Sequence, residues 1–120
     1  MKKNRAGMMR TANKLEIVTL DNFFYSEDCN YRNSRIRLLK IDTQGYEGQV
    51  LAGAKRLLEE KRIAVIKFEM APFLLHKRNN TCLQIFQLLT RDGYKIRNIG
   101  NDKVVLNDDY FHRLDLTSHN

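Results

Sequence analysis

Three acidic side chains lie where hydrophobic segments of the sequence end. Asp42 follows the apolar run Ile36–Ile41, Glu69 follows a second run, Ile63–Phe68, and Glu47 comes just after Asp42 and a glycine turn. Carboxylates supply negative charge and hydrogen-bond acceptors, so a group of them favours a cationic or hydroxyl-bearing ligand. The residues predict a ligand cleft of that kind, but they do not name a reaction.

The elements around these acids follow from hydrophobic spacing. Each apolar run predicts a strand covered on both faces. Gly45 permits a sharp turn, and apolar residues then recur at helical spacing from Val50 to about Glu60, which predicts one helix. Thr81 and Gly93 are the expected cap and stop of a second helix.

Beyond Gly93, two short apolar segments, Tyr94–Ile99 and Lys103–Leu106, flank the turn residues Gly100-Asn101-Asp102. This arrangement predicts an antiparallel hairpin. The order of these strands and helices along the chain predicts an α/β fold with parallel strands, right-handed crossovers and a terminal antiparallel hairpin.

In an open α/β sheet, ligands bind outside the carboxyl ends of the strands. Neighbouring strands lie about 4.8 Å apart, so Asp42 and Glu69 are predicted to share one crevice. Lys40 and Lys67 each precede an acid by two residues and therefore share its strand face, which predicts two adjacent lysine–acid pairs. Glu47 is predicted on the inward face of the following helix.

Structural roles remain open for each acid taken alone. Asp42 has the chemistry to cap the turn, Glu47 to interact with the helix dipole, and Glu69 to pair with Lys67. Three acids at one end of one sheet favour a site over these separate roles.

Charge and composition limit the function classes. The net charge is +7, of which the five cations in residues 1–14 carry +5, leaving 7 − 5 = +2 for the remainder. We therefore expect a basic, disordered arm over 1–14 and no nucleic-acid interface on the folded part. A nucleic-acid binder that acts through this arm is the weakest alternative. Cys29 and Cys82 lack CxxC spacing, and no signal peptide or membrane span is evident, so we expect a cytoplasmic protein without a metal site.

The remaining segments have less regular sequence patterns. Asp21 is predicted to cap a short helical turn, and residues 70–80, which contain the single proline, are predicted to form a loop. Residues 15–107 are expected to form the α/β domain, and residues 108–120 a loose polar tail.

The longest motifs have a family likeness. The segments TLDNFF, LLKIDTQGYEGQVLAGAKRLLEE and IAVIKFEM, within residues 17–100, resemble the FkbM-type methyltransferases. Gln44 stands where many members have glutamate, and Gly48 replaces a commoner larger residue, which is expected to weaken the helix start.

The resemblance implies an S-adenosylmethionine-dependent enzyme that methylates hydroxyl groups of sugars or small metabolites. Its fold would be the doubly wound, Rossmann-like methyltransferase sheet. Asp42 would lie near the transferring methyl group, as cofactor contact and as general base. Glu69 would be a second catalytic residue, whereas Glu47 and Tyr46 would bind the acceptor.

One departure from the family pattern qualifies this expectation. The glycines, at positions 7, 45, 48, 53, 93 and 100, form no GxGxxG-like cluster, and too few residues precede Ile36 for three further strands. We therefore expect this chain to correspond to the second half of the methyltransferase domain. The outer edge of the strand Ile36–Ile41 would then pair with no other strand. A second copy, a separately encoded N-terminal half or residues 1–24 would cover that edge, and the basic arm alone is not expected to do so because it has few β-forming residues. The alternative function is a non-catalytic remnant or dimerising module.

Overall fold

The computed structural model describes residues 14–117, so the arm predicted over 1–14 lies almost wholly outside the described residues. In chain order the elements are α1 (Leu20–Phe24), β1 (Ile36–Ile41), α2 (Glu47–Ala52), α3 (Lys55–Glu59), β2 (Ile63–Phe68), α4 (Pro72–Lys77), α5 (Cys82–Arg91) and α6 (Asp108–Thr117). None of the helices in this part of the chain is long and apolar enough to cross a bilayer.

The two predicted strands are confirmed, and they are neighbours. β1 and β2 pair in parallel, from Ile36 opposite Ile63 to Ile41 opposite Phe68. Within residues 14–117 the sheet has these two strands only. The α/β class is therefore confirmed, whereas a doubly wound sheet is not seen in the described part.

The sheet is covered on one face, not on both as predicted. Helices α2, α3 and α5 pack over one side and bury Leu51, Leu57, Leu58, Ile85 and Leu89. On the other side Leu38 and its register partner Val65 remain 56% and 55% exposed. The second face is therefore open at Leu38 and Val65 in residues 14–117, although Ile63, on the same face as Val65, is buried.

The single helix predicted from residue 47 to about 60 is two helices, and Asp21 is the reason. Its carboxylate accepts the backbone N–H of Arg56 at 2.8 Å and of Leu57 at 3.0 Å, and its own N–H donates to Gly53 O. In a continuous helix those N–H groups would bond to the carbonyls of Ala52 and Gly53. Asp21 therefore ends one helix and caps the next.

The prediction that Asp21 caps its own turn is accordingly wrong. Thr19 is the N-cap of α1, and its hydroxyl accepts the N–H of Asn22 at 3.0 Å. The prediction that Thr81 caps α5 is confirmed, because its side chain and that of Gln84 form a reciprocal capping box.

The predicted antiparallel hairpin is not formed. The segment Tyr94–Leu106 contains an isolated antiparallel bridge between Asn98 and Asn101, and Leu106 N–H donates to Ile96 O at 2.8 Å. Ile99 is 81% exposed and Val104 is 51% exposed. A two-stranded hairpin needs an apolar surface to pack on, and this segment lacks one along much of its length.

The two segments predicted to be irregular contain helices. Pro72 begins α4, since the first helical turn does not need its missing N–H group. In place of a loose tail, α6 spans Asp108–Thr117 and buries Phe111, whose ring stacks on Phe86 with centroids 5.0 Å apart.

Asp115 connects three helices. Its carboxylate accepts the N–H groups of Cys82 at 2.7 Å and Leu83 at 3.0 Å, and it lies 3.0 Å from His76 Nε2. It thereby caps α5 from α6 and contacts α4. This link explains why a polar C-terminal segment is ordered.

Candidate functional site

The carboxyl ends of the two strands open into one small cleft. Its volume is about 300 Å³, and its lining residues are Lys40, Ile41, Asp42, Lys67, Phe68, Glu69 and Ile99. Asp42 and Glu69 directly follow the register partners Ile41 and Phe68. The structure therefore brings the two predicted acids together at one rim.

Both acids are accessible to a ligand. Asp42 and Glu69 are exposed side chains, and Oδ1 of Asp42 accepts a hydrogen bond from Nε2 of Gln44 at 3.2 Å. That amide is a neutral donor, so it orients the carboxylate without adding charge to the cleft. Asp42 keeps acceptor capacity free for an incoming hydroxyl group.

The two lysines lie beside the acids but do not form the predicted pairs. Lys40 is the register partner of Lys67, so the lysines flank each other across the sheet. No nitrogen of either lysine lies within 4.0 Å of an acid oxygen among the described residues. The cleft thus contains two cations and two anions that are not neutralised by direct contact.

Glu47 is a buried anion inside the turn after β1. It is 2% exposed, and its Oε2 accepts the N–H of Thr43 at 2.8 Å and the Thr43 hydroxyl at 2.9 Å. Its Oε1 accepts the N–H of Gly45 at 3.0 Å. Charge-assisted hydrogen bonds of this number hold the backbone that follows Asp42 in one conformation.

Close packing against α4 and Asn80 completes the turn. Gly45 has φ +105°, and a Cβ there would lie 2.5 Å from the carbonyl oxygen of Leu74. The side chain of Asn80 fills the space beside Gly48 and donates to Gly45 O at 3.3 Å and Gln49 Oε1 at 2.6 Å. The small residue at position 48 therefore makes room for a tertiary contact.

Tyr46 lies apart from the two acids. It is the N-cap residue of α2, it is half-exposed, and the guanidinium of Arg78 lies 4.6 Å from its ring centroid. Neither Tyr46 nor Glu47 lines the cleft. The structure therefore unites two of the four predicted site residues and places the other two in or beside the supporting turn.

Among residues 14–117, the cysteines and histidines show no arrangement typical of a reactive centre. Burial is the main cause that raises the pKa of Cys82 to about 12, so its thiol is not a ready nucleophile. Within residues 14–117 no three His, Cys, Asp or Glu side chains are grouped closely enough to hold a metal ion.

The sequence prediction missed part of the site. Ile99 enters the cleft from the segment that was predicted as a hairpin, and Gln44 contacts Asp42. Gln44 could have been found from the sequence because it lies in the turn, two residues after Asp42. In the structure it has a left-handed φ of 54°. Ile99 carried no local signal, since its approach depends on how the segment after α5 folds back.

The comparisons with known proteins identify a family. Residues 7–96 match the family model described as Methyltransferase FkbM domain. No curated protein and no solved structure matches the chain. The matched region contains both strands and all four predicted site residues, and it ends before α6.

Proposed function

We propose that this chain, which belongs to the FkbM methyltransferase family, is an S-adenosylmethionine-dependent methyltransferase that acts on the hydroxyl group of a sugar or small metabolite. The membership supports methyl transfer in general. The observation that carries the proposal for a hydroxyl acceptor is the cleft shared by Asp42 and Glu69.

In this proposal Asp42 is the general base. Its exposed carboxylate, oriented by Gln44, accepts the proton that the acceptor hydroxyl loses as its oxygen is methylated. Glu69, at the end of the adjacent strand, accepts a hydrogen bond from the same acceptor or from a neighbouring hydroxyl. Lys40 and Lys67 provide positive charge at the same rim.

Glu47 and Tyr46 have less direct proposed roles. Glu47 is a positioning residue, because its carboxylate fixes the turn that carries Asp42 and Gln44. Tyr46 presents a half-exposed ring beside Arg78, and its proposed contact with the acceptor stays a prediction.

The described residues fit the cofactor in part. S-adenosylmethionine would supply a methyl group on a positively charged sulfur, and in this proposal the carboxylate of Asp42 would interact with that charge. Residues 14–117 contain no glycine-rich turn between a strand and a helix of the kind that holds a nucleotide. Asp42 is therefore the one cofactor contact that we assign.

A labelled-methyl assay tests the proposal. The chain is incubated with methyl-labelled S-adenosylmethionine and a panel of sugars, phenols and hydroxy acids, and product label is counted. Asp42→Asn is expected to lower the rate by a factor of about 10² or more, because loss of a general base has effects of that size. Asp102→Asn, an exposed loop acid outside the cleft, is the matched control. Equal rates in the wild type and Asp42→Asn would overturn the role of Asp42.

A second candidate is a non-catalytic module that dimerises or binds a separately encoded N-terminal half. It is favoured by the outer edge of β1, which pairs with no strand in residues 14–117, and by the exposed pair Leu38 and Val65. Calorimetry with S-adenosylmethionine separates the candidates. No heat at cofactor concentrations of roughly 1 mM, a weak-binding limit, together with a dimer by light scattering, would support this module over the enzyme.

A further inference from the structure

A second and larger cavity lies beside the cleft. Its volume is about 900 Å³, and it runs between β2, the segment after α5 and helix α6. Pockets for small organic ligands have volumes of this order. Its apolar lining includes Ile66, Leu89, Ile96, Leu106, Phe111 and Leu114.

The cavity and the cleft adjoin each other. Lys67, Phe68, Glu69 and Ile99 line both of them. A molecule bound in the larger cavity would therefore lie beside the rim that carries Asp42. Its position beside the cleft distinguishes the cavity from an isolated packing defect of the core.

The two tyrosine hydroxyl groups that line the cavity already have hydrogen-bond partners. The hydroxyl of Tyr94 donates to the carbonyl of Ile63, and the hydroxyl of Tyr110 accepts from Asn98 Nδ2 at 3.3 Å. Most of the lining surface is apolar, so an alkyl or aromatic group is favoured over a sugar.

The rim of the cavity is positively charged. Lys67, Lys95 and Arg97 are exposed lining residues, and Glu69 is the acid among them, so the balance is 3 − 1 = +2. An apolar interior with a cationic rim complements an amphiphile with an anionic head group.

We propose that this cavity binds a small anionic amphiphile, such as a fatty acid, with its chain against Phe111 and Leu114 and its head group among Lys67, Lys95 and Arg97. Binding of the amphiphile is independent of catalysis. We further infer that a hydroxylated amphiphile of this class is the methyl acceptor, and this inference rests on the proposed function above.

Titration calorimetry with dodecanoate below its micelle concentration tests the binding. We expect one saturable site, with affinity falling from dodecanoate to dodecanol to dodecyltrimethylammonium. The absence of saturable dodecanoate binding, or an equal or higher affinity for the cationic amphiphile, would overturn the proposal.

Matched variants locate the site. Ala64→Phe adds a ring to the wall of the cavity and is expected to weaken dodecanoate binding by roughly tenfold or more, by displacing apolar contact area. Ala52→Phe, at an exposed position on α2 outside the cavity, is the control. If Ala64→Phe does not fold, Ile96→Phe adds volume to the same cavity. Equal binding by the cavity variant and the control would contradict the location.

Charge variants test the rim. The double variant Lys95→Gln/Arg97→Gln is expected to remove the preference for dodecanoate over dodecanol, whereas Lys55→Gln/Arg113→Gln, which changes two exposed cations outside the cavity, is expected to retain it. Retained preference in the first variant would contradict the assigned rim.

Two further measurements exclude other occupants. A chain that sediments with phosphatidylglycerol vesicles but does not bind monomeric dodecanoate has a membrane-facing surface, which overturns the proposal. A dimer by light scattering that blocks dodecanoate binding overturns it too, because a second copy then fills the cavity.

Failure of binding and failure of catalysis are distinguishable. Dodecanoate titration requires no methyl donor, so it gives its result whether or not the chain transfers methyl groups. If dodecanoate binds but 12-hydroxydodecanoate receives no label, the amphiphile site stands and its role as an acceptor site is overturned. If dodecanoate does not bind but a sugar is methylated, the proposed function stands without this site.

Discussion

The turn after β1 and the segment after α5 both border the candidate site, but they are built differently. In the turn, the carboxylate of Glu47 accepts three hydrogen bonds and the backbone of Gly45 packs against α4. The segment Tyr94–Leu106 contains one isolated bridge and exposed apolar side chains. The turn is suited to hold Asp42 in place, whereas the open segment is suited to adapt to a ligand.

The largest expected effect is on the turn. Glu47→Gln replaces one carboxylate oxygen with an NH₂ group that faces existing donors, and should lower the free energy of unfolding by about 3 kcal/mol. Urea denaturation provides the measurement. Glu59→Gln, which removes an exposed partner of Lys55, should cost at most about 0.5 kcal/mol and serves as the control. Equal effects would mean that the buried carboxylate does not stabilise the turn.

A pair of glycine substitutions compares the two regions directly. Gly45 and Gly100 have φ angles of +105° and +96°. A Cβ at position 45 would lie 2.5 Å from the carbonyl oxygen of Leu74, whereas a Cβ at position 100 would have no heavy atom within 4 Å apart from its own residue and its chain neighbours. Gly100→Ala should cost about 1 kcal/mol from backbone strain, and Gly45→Ala at least about 2 kcal/mol more from the clash. Similar melting temperatures for the two variants would contradict a tightly packed turn.

Asp115 should make the α4–α5–α6 contact sensitive to acid. Burial raises the pKa of Asp115, but hydrogen bonds from His76, Cys82 and Leu83 lower it more, so the net pKa lies below the ordinary value of 3.8. The stabilisation is therefore complete above pH 3.8 and is lost as the pH falls through the lowered pKa.

The Asp115→Asn variant should lose about 2 kcal/mol at neutral pH and show a shallower loss of stability below about pH 4. Urea midpoints measured between about pH 3 and pH 7 provide the test, with Asp28→Asn, an exposed loop acid, as the control. A variant that follows the wild-type acid profile would show that Asp115 does not carry the pH dependence.

The smallest expected effect is in the open segment. Val104→Thr should change the free energy of unfolding by no more than about 0.5 kcal/mol, because this side chain is half-exposed. Leu58→Ala, a fully buried comparison, should cost about 3 kcal/mol. A loss above about 1 kcal/mol for Val104→Thr would mean that the open segment packs more tightly than the structure shows.

Local patterns were sufficient for much of the site. The apolar runs predicted strands at Ile36–Ile41 and Ile63–Phe68, and their order placed Asp42 and Glu69 at one rim, which the parallel pairing confirms. The capping box at Thr81 was also local, because its partner Gln84 is three residues away. Contacts over such short distances are encoded by residue type and spacing alone.

Other features depended on residues far apart in the chain. Asp21 ends α2 and caps α3 from 35 residues away, and Asp115 caps α5 from 33 residues away. The helical spacing of Glu47 predicted that its side chain faces the core. Its burial as an anion depended on the N–H donors that the turn supplies.

By itself, the sequence determined the strand–helix alternation, the placement of the acids after the strands and the family likeness, because hydrophobic period and motif spacing are properties of short segments. Tertiary structure decided where the long helix breaks, that the last polar segment folds as a helix, and that the hairpin is replaced by an open segment beside a cavity. Those outcomes depend on which distant side chain satisfies a backbone group and on which apolar surface finds a partner, and no local pattern records either.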